Sequence, residues 1–141
     1  MVACGRIDGG LHRDSAVIAV LRDKSGKSQE AFRSRVGSDL YALSRFNQLE
    51  LLQGAKNLHE WLLLDEYLST QLYLEAFATT WREAARIFFD LRRRGTTLAS
   101  SVDCCIAQIA LENDAILLHR DNDFEVIACV RPLSQEYFKW G

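Results

Sequence analysis

Ala115-Ile-Leu-Leu118 runs apolar without a break and stops at once against His119-Arg-Asp-Asn-Asp123. A run this short, apolar at every position and bounded by turn formers, predicts a strand buried on both faces. A strand of that kind needs helices to cover it. The chain supplies them on either side, so short apolar segments alternate with amphipathic ones. That order predicts an α/β layer architecture around a central, mainly parallel sheet flanked by helices.

The other elements fit the same plan. Leu40-Tyr-Ala-Leu43, inside Asp39 to Ser44, reads as a second buried strand. A weaker strand ends near Leu11 to Arg13, although Gly9-Gly10 makes a poor strand interior. Ser15 to Leu21 is apolar throughout and reads as a buried strand or as a helix started by an Asp or Ser cap. Gln29 to Val36 reads as a polar helix. Phe46, Leu49, Leu51, Leu52 and Ala55 mark a helix with Gly54 near its end, and Asn57 to Leu68 marks another. Gln71 to Glu75 alternates like a short strand. Thr80-x-x-Glu83 has the spacing of a capping box. Trp81, Ala84, Ala85, Phe88 and Leu91 then repeat at helical spacing. Arg92-Arg93-Arg94 fills the last turn, where cations favour the helix dipole, and Gly95 stops the helix. After Ser101 a further helix places Val102, Cys105, Ile106, Ile109 and Ala110 on one face. Val126 to Val130 is a final apolar stretch.

At 141 residues, 48% hydrophobic and 26% charged, the chain has room for one domain, residues 1–141, with a core of its own. A formal net charge of −2 excludes a uniformly basic nucleic-acid coat but not a local basic patch. No apolar run approaches the roughly 20 residues of a membrane span. The first residues, Met1-Val-Ala-Cys-Gly-Arg, lack the basic-then-apolar order of a secretory signal. Cys4, Cys104, Cys105 and Cys129 form neither C-x-x-C pairs nor a plausible disulfide framework. Reduced thiols in a cytoplasmic protein with no membrane partner are the expectation.

In a parallel α/β sheet, ligands bind beyond the carboxyl ends of the strands. The topology would bring Asp14, Glu50, Asp103 and the pair Asp121 and Asp123 to that edge. Taken singly, each has an ordinary use: a helix start for Asp14 and Asp103, a surface position for Glu50, a turn for Asp121 and Asp123. Gathered in one cleft they repel one another, and a hard divalent cation relieves that repulsion. A carboxylate-bound metal beside basic side chains suits phosphodiester hydrolysis. Arg92, Arg93, Arg94 and Arg120 are the candidate basic rim for RNA. An isolated His119 reads as structural. No phosphate-loop, dinucleotide, nucleophile-elbow or H-E-x-x-H pattern occurs.

Three segments carry a family resemblance. Ser44-Arg-Phe-Asn-Gln-Leu-Glu50-Leu-Leu-Gln-Gly54, then Phe89 to Thr96 with Ser101-Val-Asp103-Cys-Cys-Ile-Ala107, then Leu117-Leu-His-Arg-Asp121-Asn-Asp123-Phe124 resemble, in order, the motifs of PIN-domain ribonucleases of the VapC toxin group. The resemblance runs from about Ser15 to Cys129. It implies a small PIN domain, often a homodimer, acting as an endoribonuclease dependent on Mg²⁺ or Mn²⁺. It also implies a toxin silenced by a small cognate antitoxin that wraps it and blocks its pocket. By the resemblance Glu50, Asp103 and Asp121 match acidic site residues, with Asp103 and Asp121 on the metal, and Asp123 is an auxiliary acid. Asp14 supplies the first acid and a third metal ligand after a one-residue shift. In the gapless alignment Arg13 stands there instead, and the chain would be a weakly active or non-catalytic module that binds RNA or antitoxin. A receiver-like phosphoryl-transfer domain is a third reading. It wants a late lysine beside the acids, and the only late one is Lys139.

Overall fold

In the computed structural model, the structure describes residues 2–5, 10–11, 40–98 and 100–137, and only the backbone at 2–5, 10, 11 and 40. Three expectations, the Ser15 to Leu21 element, the Gln29 to Val36 helix and the position of Asp14, lie outside the described residues.

The described elements are β1 (Val2–Gly5), β2 (Gly10–Leu11), β3 (Leu40–Ala42), α1 (Arg45–Gln53), α2 (Leu58–Ser69), α3 (Thr80–Arg93), α4 (Ser101–Glu112), β4 (Ile116–His119), α5 (Asp123–Ile127) and β5 (Gln135–Tyr137). The sheet order is β2-β4-β1-β3, with β5 also pairing β4. β2 and β5 run parallel to β4, and β1 runs antiparallel to both β4 and β3. It follows that β2, β3, β4 and β5 share one direction and β1 alone opposes it. The mainly parallel sheet read from the sequence is therefore present, with β1 reversed inside it. Gly10 does lie in a strand, despite its poor propensity.

β4 is buried for the reason its sequence suggests: Leu117 and Leu118 are fully inaccessible. The main core joins it to Ile87 and Leu91 of α3, Ile106 of α4, and Phe124 and Ile127 of α5. Each such side chain contributes about 1.5–3 kcal/mol by leaving water. A smaller cluster of Leu43, Leu51 and Leu68 seats α1 and α2 on the end of β3.

Several local expectations change. The 71–75 segment makes one bridge, Leu43 to Tyr73, with Leu43 N–H donating to the Leu72 carbonyl at 2.8 Å and Leu74 N–H to the Leu43 carbonyl at 2.9 Å. Two hydrogen bonds do not make the strand that its alternation predicts. Arg45 instead fixes this segment through Glu75, 2.7 Å away, and lies 3.9 Å over the Tyr73 ring. The Thr80-Glu83 capping box does not form. Thr79 takes the cap position, while Thr80 Oγ1 accepts from Phe77 N–H at 2.8 Å and contacts Glu112. The buried stripe of α3 is Thr80, Ala84, Ile87 and Leu91. Trp81 and Ala85, expected on that face, are exposed. The C-terminal stop is as read: Gly95 has φ 83°, and Thr96 N–H reaches back to the Leu91 carbonyl at 3.0 Å.

Candidate metal centre

The topology delivers three acids to one place. α4 begins where Ser100 caps it, its hydroxyl accepting from Val102 N–H at 3.1 Å. Asp103 follows in the first turn, where the helix dipole favours a carboxylate. The chain leaves α4 through Asn113 and Asp114, the latter at φ 50°, and enters β4. α4 and β4 are thus antiparallel neighbours, and the start of one meets the end of the other. Asp121 and Asp123 come directly after β4. One carboxylate oxygen from each of Asp103, Asp121 and Asp123 lies within 4.8 Å of the other two.

Asp103 is 1% exposed, and Asp121 and Asp123 are half-buried. The post-strand turn is held by its own backbone. Asp123 N–H donates to Asp121 Oδ1 at 2.9 Å, and Asp121 N–H donates to His119 Nδ1 at 3.2 Å. His119 is fully buried, packed against Phe124 with ring centroids 4.9 Å apart and edge-on to Tyr137 at 5.8 Å. Its Nε2 meets Gln135 Oε1. Because Nδ1 accepts, Nε2 carries the proton and donates to Gln135. Burial lowers the His119 pKa below 6.5, and the Gln135 hydrogen bond opposes this only in part. The ring is therefore the neutral support of the turn rather than a cation beside it.

Glu50 lies on α1 and is not within the 4.8 Å cluster, although its Oε2 is buried. α1 follows β3, which shares the direction of β4, so Glu50 belongs to the helix that starts at the same sheet edge. That helix is set by a reciprocal cap the sequence reading missed. Ser44 N–H donates to Asn47 Oδ1 at 2.8 Å, and Asn47 N–H to Ser44 Oγ at 3.4 Å. The Ser44-x-x-Asn47 spacing was its only signal. Gln135 was also missed; a three-residue strand beyond Pro132 leaves no periodic trace.

The candidate arginines divide. Arg92 sits 5.8 Å from the Phe88 ring centroid and Arg93 5.7 Å from that of Phe89. Arg94 donates to the Cys129 carbonyl at 3.4 Å. Arg120 is exposed in the step from β4 to Asp121.

The cluster tests well as a cation site. Its donors are all carboxylate oxygens, without thiolate or imidazole, which is the ligand chemistry of a hard divalent ion. Three acids this close, one of them buried, are strongly favoured by a bound positive charge.

The PIN domain family model matches residues 14–129. The chain belongs to the PIN domain family. The matched span opens at Asp14 and takes in every candidate acid. A VapC ribonuclease of Mycobacterium bovis and ribonuclease VapC11 of Mycobacterium tuberculosis are each 42% identical to this PIN chain over 62 residues, 44% of this chain and 46% of the relative. The match thus spans about half the length of these curated relatives. In fold, the PIN chain is similar to VapBC2 from Rickettsia felis, solved bound to a DNA fragment from its promoter. The TM-score there is 0.70 at 18% identity, covering 92% of this chain and 98% of that one. DNA-bound VapBC from Salmonella typhimurium gives a TM-score of 0.69 at 20% identity, covering 89% and 94%. Among the described residues of this PIN domain, no helix is long and apolar enough to cross a membrane.

Proposed function

We propose that this PIN domain is a metal-dependent endoribonuclease and the toxin of a toxin–antitoxin pair, working as one domain over residues 1–141 in the cytoplasm. The observation that carries the proposal is the convergence of Asp103, Asp121 and Asp123 within 4.8 Å at the carboxyl edge of the sheet. Relatives named as VapC ribonucleases support the reaction class. The VapBC assemblies that share the fold support a toxin's role and an antitoxin partner.

Asp103, Asp121 and Asp14 hold Mg²⁺ or Mn²⁺ in this reading, and Glu50 and Asp123 complete the acidic set. The matched span includes Asp14, and this reading takes Asp14 as the first acid rather than the non-catalytic alternative built on Arg13. A bound divalent ion supplies charge neutralisation at the phosphate and a more acidic water. The chain itself fixes the geometry. Ser100 and the α4 dipole hold Asp103, while His119 and the Asp121–Asp123 turn keep the other two carboxylates in register. Arg92, Arg93, Arg94 and Arg120 form the basic rim for RNA. Hydrolysis leaves a 5′-phosphate and a 3′-hydroxyl.

The partner surface is apolar. Leu58, Trp61, Leu62 and Leu63 of α2 and Leu49 of α1 are exposed, more than scattered single positions would leave. An apolar helix of the antitoxin, or of a second copy in a homodimer, is the fitting occupant.

The test is cleavage of a structured RNA by the purified chain. Products are expected with Mg²⁺ or Mn²⁺ and none in EDTA. Full activity in EDTA overturns the mechanism.

A further inference from the structure

The face of α3 opposite its buried stripe carries a second, unrelated pattern. Arg82, Arg86, Phe89 and Arg93 follow one another at spacings of four, three and four residues, so they form one outward line along the helix. Phe89 is 41% exposed, and the guanidiniums of Arg86 and Arg93 lie over its ring, loosely, at 5.5 Å and 5.7 Å from the centroid. Two shallow clefts border this line. One is lined by Arg82, Arg86, Phe88, Phe89 and Arg92, the other by Arg86, Asp90, Arg93, Arg94 and Arg131. Six guanidiniums thus line the pair against one carboxylate, Asp90.

That carboxylate organises the clefts rather than neutralising them. Asp90 Oδ1 accepts from Arg86 Nε at 2.8 Å, and Oδ2 from Arg131 Nη2 at 2.9 Å. The acid therefore pins two arginines at set positions and leaves Arg93 to the Phe89 ring. Glu83, outside both clefts, pairs with Arg82 at 2.7 Å. The surplus of positive charge stands out in a chain whose formal net charge is −2.

We infer that this face of α3, with the turn carrying Arg131, is a track for single-stranded RNA, on which an unpaired base stacks on Phe89 and the flanking phosphates lie on Arg93 and its neighbours. The inference rests on the ribonuclease reading for its biological sense and names the form of substrate that reading leaves open. Alternating cations with an exposed aromatic ring is the chemistry of single-strand binding, where every base offers a π-face and every linkage a charge. An A-form duplex hides its base faces and would use only the arginines. A second copy of the chain is the less fitting occupant, since a two-fold contact here would set the same arginines against themselves. The track also ends in the right place. Past Arg93 the chain continues through Gly95 to α4 and Asp103. Arg94 holds the Cys129 carbonyl, in the turn that follows α5 and its Asp123.

The experiment is fluorescence anisotropy of a labelled short oligouridine and of a labelled RNA hairpin stem, with the full chain, in EDTA and over a range of salt. The single strand is expected to bind more tightly than the stem. Phe89→Ala should weaken single-strand binding about tenfold, and Phe89→Trp should restore it. Arg93→Gln should lower the slope of log affinity against log salt by about 0.7. Unchanged melting temperatures for the variants confirm that the fold is intact. Equal binding of strand and stem overturns the inference, as do variants that bind like the wild type. It is also overturned if Phe89→Ala converts a dimer to a monomer in sedimentation while RNA binding stays the same. If the wild type cleaves no RNA with any metal but the Phe89 and Arg93 dependence persists, the ribonuclease reading falls and the track stands.

Discussion

The imidazole of His119 accepts the backbone N–H of Asp121 at 3.2 Å, so the turn that presents two of the three clustered acids hangs from a buried ring. The other ring nitrogen donates to Gln135 on β5, which links the last described strand to the site. Gln135→Leu would leave the buried Nε2–H without its acceptor, at a cost of about 1–3 kcal/mol. The ring would then be free to tilt, and Mn²⁺ affinity should fall about tenfold, the lower end for loss of a supporting hydrogen bond behind metal ligands. Urea melts and Mn²⁺ calorimetry measure the two effects; wild-type values in both would remove His119 and Gln135 from the site's support.

The sequence made the architecture legible where the signal was local and strong. Ala115-Ile-Leu-Leu118 read as a short buried strand, and the strand observed is Ile116–His119, with the acids following at its carboxyl end. Arg92 to Gly95 wrote the end of α3 in charge and backbone freedom. What failed was register and reach. The apolar positions of α3 fit two neighbouring stripes, and tertiary packing chose the one with Ile87, leaving Trp81 outside. Thr80-x-x-Glu83 had capping-box spacing, but the hydroxyl found a charged partner on another helix. β5 and Gln135 had no periodicity to announce them, because a three-residue strand is fixed by its partner rather than by its own pattern.

Thr80 Oγ1 donates to Glu112 Oε1 at 2.6 Å while accepting the Phe77 N–H, so one hydroxyl closes the start of α3 and ties it to the end of α4. Glu112 is further held by Gln108 at 3.2 Å. Thr80→Val keeps the shape and removes both bonds, leaving the Phe77 N–H and the carboxylate short of a partner. The expected loss is about 2–3 kcal/mol, since the broken bond is to a charged group. Thr80→Ser should retain most of the stability. A Val variant as stable as wild type in chemical denaturation would show that solvent replaces the bond at no cost.

Cys104 is inaccessible on α4, and burial pushes its thiol up to about 11 from an ordinary value of 9.0. The neutral thiol is the form the fold prefers. Between pH 9 and 11 the unfolded chain ionises this group first, so the unfolded state binds fewer protons and stability falls as pH rises through that window. Below pH 9 the contribution is fully present. Cys104→Ala should flatten this alkaline slope. At pH 8, alkylation mapped by mass spectrometry should label exposed Cys129 well before Cys104. Equal labelling rates would mean that α4 opens far more readily than its packing implies.

The first acid decides how complete the centre is. Asp103→Asn should remove most Mn²⁺ binding and all cleavage while keeping the melting temperature within a few degrees, because Asn occupies the same space and removes only the charge. Asp14, which lies outside the described residues, should behave the same way if it is a ligand: Asp14→Ala should weaken Mn²⁺ binding as much as Asp103→Asn does. Arg13→Asp should then change little, because the ligand position is already filled. The opposite arrangement makes opposite numbers. With Asp14 only starting a helix, its loss would cost about 1 kcal/mol of stability and leave metal affinity untouched. Arg13→Asp would then increase affinity by exchanging a cation for the missing ligand. Mn²⁺ titration calorimetry on these three variants and the wild type separates the cases. The expected pattern is loss in Asp14→Ala with no gain in Arg13→Asp.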